Sequence, residues 1–207
     1  MNGFMSGKQV HYTAILKLVA VLTLALLLNA CGSTPTTISG AVTPRTEFNQ
    51  QDYEAALELM KKKKYTSAIV LLETIVRDDT KRVGPFINLG IAYKELGKFD
   101  DSKRALITAT QVDRSSAIAF NELGLVYRKL GEFTSAKKAY MKSIDNNSRY
   151  SLPYRNLGIL CDIYLQDMSC AIRNYKKYQS LTRSKDKKVE LWIVDLKRRM
   201  GNKSRGK

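Results

Sequence analysis

The sequence predicts an all-α chain built from repeated helix hairpins, and three observations lead there. Only four of 207 residues are proline, and two of these, Pro35 and Pro44, precede the first helical pattern. The remainder is rich in Ala, Leu, Lys and Glu, which favour helix. Three glycines, Gly90, Gly124 and Gly158, recur at intervals of 34 inside closely matching segments, and self-similarity at such a period is the signature of a stacked-repeat architecture. With 44% apolar and 26% charged residues, the body has the composition of a folded domain.

The first segment is read as an address rather than as structure. Residues 1 to 17 carry Lys8 and Lys17 and no acid, and an eleven-residue apolar run follows from Leu18 to Leu28. A helix of that length rises only about 16 Å, too little for a hydrocarbon core of ~30 Å. A charged start, a short apolar middle and small residues at the end are signal-peptide anatomy. The sequence Leu28-Asn29-Ala30-Cys31-Gly32 resembles the lipobox of bacterial lipoproteins. That resemblance implies cleavage of residues 1–30 as a lipoprotein signal peptide, acylation of Cys31 and, with Gly32 rather than Asp next, delivery to the periplasmic side of the cell outer membrane. Residues 31–47, polar and without period, read as the lipidated cysteine and a flexible tether.

The repeats come next. Phe86-Ile-Asn-Leu-Gly-Ile-Ala-Tyr93, Phe120-Asn-Glu-Leu-Gly-Leu-Val-Tyr127 and Tyr154-Arg-Asn-Leu-Gly-Ile-Leu-Cys161 align, and between them recur Leu96-Gly-Lys-Phe99 and Leu130-Gly-Glu-Phe133. This pattern resembles the tetratricopeptide repeat family, whose 34-residue unit is an antiparallel helix pair. The resemblance implies a right-handed superhelical solenoid of about four helix hairpins over residues 48–182. The outer two repeats are degenerate: Lys61-Lys-Lys-Lys-Tyr65 and Leu165-Gln-Asp-Met168 replace the Leu-Gly-x-Phe turn, the latter with one residue inserted before it. A glycine on the first helix lets the second approach closely, against roughly 1 kcal/mol of helix propensity. Gly97 and Gly131 fall where the chain turns through a left-handed conformation.

Beyond the repeats, Val189, Trp192, Ile193, Leu196 and Met200 share one helical face. An open stack must cover its terminal apolar edge, so residues 183–200 are expected to form a capping helix; lying on a membrane surface is the other reading of this helix. Residues 201–207 are expected to be a disordered basic tail.

Function is constrained chiefly by exclusion. The single histidine, His11, lies in the signal segment, so histidine-based catalysis and histidine-ligated zinc are absent from the mature chain. No enzyme activity, cofactor or metal is expected. Thirty-five Lys and Arg stand against 19 Asp and Glu, a field that attracts anionic surfaces; behind an export signal these are lipid, envelope polymer or acidic protein, and no nucleic acid is expected. Cys161 and Cys170 flank the turn of the fourth repeat, and in an oxidising compartment they are either disulfide-bonded or buried as apolar thiols. The repeat resemblance implies a groove lined by first helices, with Asn88, Lys94, Asn121, Arg128, Arg155 and Asn156 as peptide-binding candidates. Lipoproteins of this build resemble the pilotins of type IV pili and secretion systems, and also scaffolds of peptidoglycan hydrolases. The expected partners are therefore envelope proteins, with a secretin or pilus component first. The alternative is a basic binder of anionic envelope polymer or lipid.

Overall fold

A computed structural model describes residues 49–183 and 185–205. The expected signal peptide, the lipid-accepting Cys31 and the tether lie outside the described residues. The described chain is helical throughout: α1 Gln50–Lys61, α2 Tyr65–Asp78, α3 Val83–Glu95, α4 Phe99–Val112, α5 Ala117–Lys129, α6 Phe133–Asn146, α7 Ser151–Ile159, α8 Met168–Leu181 and α9 Lys187–Arg205. The odd-numbered members α1 to α7 are the first helices of four hairpins; each packs on its own second helix, and α1, α3 and α5 also pack on the next first helix.

Why the chain reverses where it does is visible at four points. Lys63, Gly97, Gly131 and Gln166 have φ of 56°, 74°, 77° and 53°, the left-handed turn that ends each first helix. Three turns close with a backbone bond spanning five residues: Lys64 N–H to Leu59 C=O at 2.8 Å, Lys98 to Tyr93 at 2.9 Å and Glu132 to Tyr127 at 2.8 Å. In the fourth, Asp167 N–H reaches back six residues to Cys161 C=O at 2.8 Å. The extra residue is absorbed by one π turn, Leu160–Tyr164, which continues α7. A π bulge adds a residue without ending the helix, so Met168 still lands in the place of Phe133.

The repeats are joined by a second recurring device. Asp79, Asp113 and Asn147 each accept a bond from the backbone N–H two residues on, at 2.8, 2.8 and 3.0 Å. These short polar side chains close the turn between a second helix and the next first helix.

Helix pairs approach through the three glycines. A Cβ on Gly90 would lie 2.5 Å from Leu106 Cγ, one on Gly124 2.6 Å from Tyr140 Cδ1, and one on Gly158 2.5 Å from Tyr175 Cδ1. No side chain fits at that separation, so the large residue on each second helix fills the notch; Leu106, Tyr140 and Tyr175 are all buried. Tyr175 in turn packs on Trp192 of α9, with ring centroids 5.4 Å apart. Val189 and Leu196 of α9 are fully buried beside it.

The last helix differs from expectation at both ends. It starts at Lys187 because Asp186 caps it, accepting from Lys188 and Val189 N–H at 3.0 and 3.4 Å. The Gln179 side chain fixes that cap, donating to Asp186 C=O at 2.7 Å and accepting from its N–H at 2.9 Å. The helix then continues through Gly201 to Arg205, into the segment read as an unstructured tail. One glycine costs about 1 kcal/mol of propensity, too little to stop a helix already anchored by Val189 and Leu196.

Candidate functional site: the face of consecutive first helices

Residues spaced i, i+4, i+7 share one face of a helix. On the first helices these are Tyr53, Leu57 and Met60; Ile87, Ile91 and Lys94; Asn121, Leu125 and Arg128; and Arg155, Ile159 and Asp162. Four of the six candidates from the sequence, Lys94, Asn121, Arg128 and Arg155, belong to this stripe, and Asn88 and Asn156 stand beside it.

Most of these polar groups are engaged with the protein itself. Asn88 donates to the Tyr53 hydroxyl at 2.6 Å, tying α3 to α1. Lys94 Nζ lies 2.6 Å from Glu122 Oε2, with both side chains largely buried, and ties α3 to α5. Asn156 donates to Asn121 Oδ1 at 2.9 Å, tying α7 to α5; these residues are 8% and 1% exposed. The Arg155 guanidinium stands over the Trp192 ring, 5.7 Å from its centroid, and 3.9 Å from Asp186. Arg199 completes the series, bonded to Asp162 at 2.7 Å, and ties α9 to the π turn. The expected peptide-holding amides Asn121 and Asn156 are thus engaged within the solenoid, Asn121 accepting from Asn156 and donating to Glu122 Oε1 at 3.1 Å.

Arg128 differs. It makes no ion pair among the described residues, and its Nε is buried without a hydrogen-bond partner, as are Arg155 Nε and the Tyr140 hydroxyl. Burial pushes the ionisation of the Tyr140 and Tyr175 hydroxyls well above the ordinary tyrosine value; the guanidinium of Arg128 offsets part of this at Tyr140, and at Tyr175 the carboxylate of Asp162 adds to it while Arg155, Arg128 and Arg199 offset part. Arg128, Lys94, Lys129, Glu95, Phe99 and Leu125 line a cleft of about 360 Å³ at the end of α5.

A further set was missed in the sequence. Leu57, Ile91, Leu125 and Ile159 each follow the glycine position of their repeat, are spaced by 34, and are all half-buried. Stepping 34 residues from Leu57 would have found them. Their side chains give the face an aliphatic strip between the polar stitches.

In the fourth hairpin Cys161 and Cys170 are joined in a disulfide across the turn, with Cα atoms 5.8 Å apart, and both are buried. Among the described residues no group of three or more His, Cys, Asp or Glu is placed to hold a metal ion. No described helix is long and apolar enough to cross a membrane.

Comparison with known proteins agrees with this geometry. No curated protein matches the chain. Among solved structures, MamA is 25% identical, with 61% of this chain and 74% of that chain aligned at a TM-score of 0.57. The pilF protein of Pseudomonas aeruginosa is 17% identical over 76% of this chain and 71% of its own, with a TM-score of 0.68. The first tetratricopeptide domain of Spaghetti (RPAP3), solved with the HSP90 peptide SRMEEVD, is 16% identical over 59% of this chain and 96% of its own, at 0.55. The tetratricopeptide repeat family model matches residues 85–116 and 117–150. These residues carry two tetratricopeptide repeats, and the described helices around them form a solenoid of the same hairpin fold.

Proposed function

We propose that this chain is a non-catalytic adaptor or assembly factor of the bacterial envelope. In this reading the lipid on Cys31 holds it on the periplasmic side of the outer membrane, and the first-helix face receives a partner protein in type IV pilus or secretin assembly. The observation that carries the reading is the strip Leu57, Ile91, Leu125 and Ile159, half-buried along successive first helices and flanked by the cleft at Arg128. Partly exposed aliphatic groups in register along a solenoid suit the apolar side of a partner helix. Tetratricopeptide repeats serve as protein-interaction modules, and the RPAP3 domain with its peptide is an instance. The choice of a secretin or pilus partner rests on the lipobox resemblance and on a fold shared with pilF.

The test is a pull-down from detergent-solubilised envelopes with the wild-type lipoprotein and a Leu125→Asn/Ile159→Asn variant whose circular dichroism matches it. A secretin subunit recovered by the wild type and lost with the variant supports the proposal. Recovery of peptidoglycan hydrolases in its place assigns the scaffold role, and equal recovery by both proteins overturns a role for this face.

A further inference from the structure

The chain's charge is concentrated at one end of the stack. Residues 173–207 hold thirteen Lys and Arg against three acids, a net of +10 out of +16, whereas residues 51–172 hold nineteen against fifteen. Charge asymmetry of this kind points to an anionic surface as partner.

The same end exposes apolar side chains. The inner face of α9 is accounted for by Val189, Trp192, Ile193 and Leu196, packed on α7 and α8. On its opposite side Leu191 and Val194 stand 66% and 59% exposed, a quarter turn or less from Lys187 and Arg198 in helical projection. Between α8 and α9 runs an open cleft of about 290 Å³ lined by Ile193 and Val194, with Lys176, Lys185 and Lys197 and the single acid Glu190 around it. Lys176, Lys185 and Lys197 make no ion pair among the described residues, although Arg198 and Arg199 nearby do. Protruding aliphatic groups ringed by unpaired lysines on long stems form the arrangement that settles at a lipid interface, with apolar tips at the acyl boundary and ammonium groups at the phosphates.

We propose that the outer face of α9, with the α8–α9 cleft, docks on an anionic phospholipid surface. A second copy of this chain is disfavoured as occupant, since two such faces would oppose cation to cation. The inference is independent of the groove reading: it uses the far end of the stack, and either can stand alone.

Trp192, the chain's one tryptophan, is half-buried on this helix and supplies the reporter. The full chain is reconstituted into vesicles of phosphatidylcholine containing brominated phosphatidylglycerol, and into vesicles whose bromine is carried by phosphatidylcholine alone. Trp192 emission is expected to be quenched in the anionic vesicles only, and the quenching is expected to shrink as salt rises. Leu191→Asp/Val194→Asp and Lys176→Gln/Lys185→Gln/Lys197→Gln should each abolish it, while a variant with Lys61, Lys62, Lys63 and Lys64 changed to Gln should keep it. Absence of quenching in anionic vesicles, equal quenching in neutral ones, or quenching that survives Leu191→Asp/Val194→Asp overturns the proposal. Loss of quenching together with a rise in Trp192 anisotropy on titration with polyglutamate would transfer the face to an acidic protein. Because the aliphatic strip is untouched in all these variants, their pull-down profiles stay informative about the groove whichever way the vesicle result falls.

Discussion

The Asn156 side-chain amide donates to the Asn121 carbonyl oxygen at 2.9 Å, and the bond is buried between α7 and α5. Breaking one side of a buried pair leaves the other without a partner, which costs about 1–3 kcal/mol, whereas replacing both by apolar groups of similar shape is close to neutral. Asn156→Ala should therefore lower the urea-unfolding free energy by about 1–3 kcal/mol. Asn121→Leu/Asn156→Leu should lose less than the sum of the two single changes, since contacting residues do not act additively. Additive losses would mean that the two amides do not depend on each other.

The hairpin turns give a sharper comparison within one chain. Lys63 and Gln166 occupy, at φ 56° and 53°, the left-handed place that Gly97 and Gly131 fill in the central repeats. A residue bearing a Cβ pays roughly 1–2 kcal/mol there. Lys63→Gly and Gln166→Gly should raise the melting temperature, each by up to about 1 kcal/mol of stability once the entropy of the new glycine is counted. Gly131→Ala should lower it by a similar amount, though a Cβ there would meet nothing within 4 Å. A neutral result at Gly131 would show that the turn relaxes at no cost.

Why these features were unequally legible follows from what sequence records. The glycine period was plain because only a missing side chain admits Leu106, Tyr140 or Tyr175 at 2.5–2.6 Å from the Cβ position, so the constraint is written at a single position. The inserted residue before Leu165 was visible as a register slip, but its absorption into a π turn at Leu160–Tyr164 was not, since bulge and loop leave the same spacing. Register puts Asn121 and Asn156 on first helices, and the structure gives each amide a partner within the solenoid. Register tells which way a side chain points, and it does not tell whether the adjacent repeat supplies its partner. The aliphatic strip is not legible in the sequence as a surface because Leu57, Ile91, Leu125 and Ile159 look like ordinary core residues until their partial exposure is seen. The continuation of α9 to Arg205 was hidden by Gly201, whose weak propensity is outweighed by an anchored helix.

The Cys161–Cys170 disulfide closes a short loop, with the two residues nine apart. Restricting the unfolded chain over such a loop contributes about 2.5 kcal/mol by the loop-entropy relation. Thiol titration of the exported, denatured protein should therefore detect neither of these cysteines until reductant is added. Reduction, or Cys161→Ala/Cys170→Ala, should lower the unfolding free energy by about 2–3 kcal/mol. Two thiols found without reductant would return this pair to the buried-thiol alternative.

Alkaline pH probes the core through its phenols. Tyr53, Tyr93, Tyr127, Tyr140, Tyr150, Tyr154 and Tyr175 all ionise above the ordinary tyrosine value, in every case chiefly because burial disfavours the phenolate. Tyr93 is raised to about 12, with its hydrogen bond to Glu73 adding to the effect of burial. In the unfolded chain a tyrosine loses its proton near pH 10. Between pH 10 and about 12 the folded state therefore binds more protons than the unfolded one, and stability must fall as pH rises. The contribution is fully present below pH 10. Far-ultraviolet circular dichroism and the phenolate absorbance contributed by these seven rings, followed together from pH 9 to 12.5, should change in one cooperative step above pH 10. Tyr93→Phe, which cannot ionise and also frees Glu73 from its hydroxyl partner, should shift that step to higher pH. Full phenolate absorbance of all the chain's tyrosines, reached near pH 10 with the helical signal intact, would show that these seven rings titrate in the folded protein, contrary to their burial.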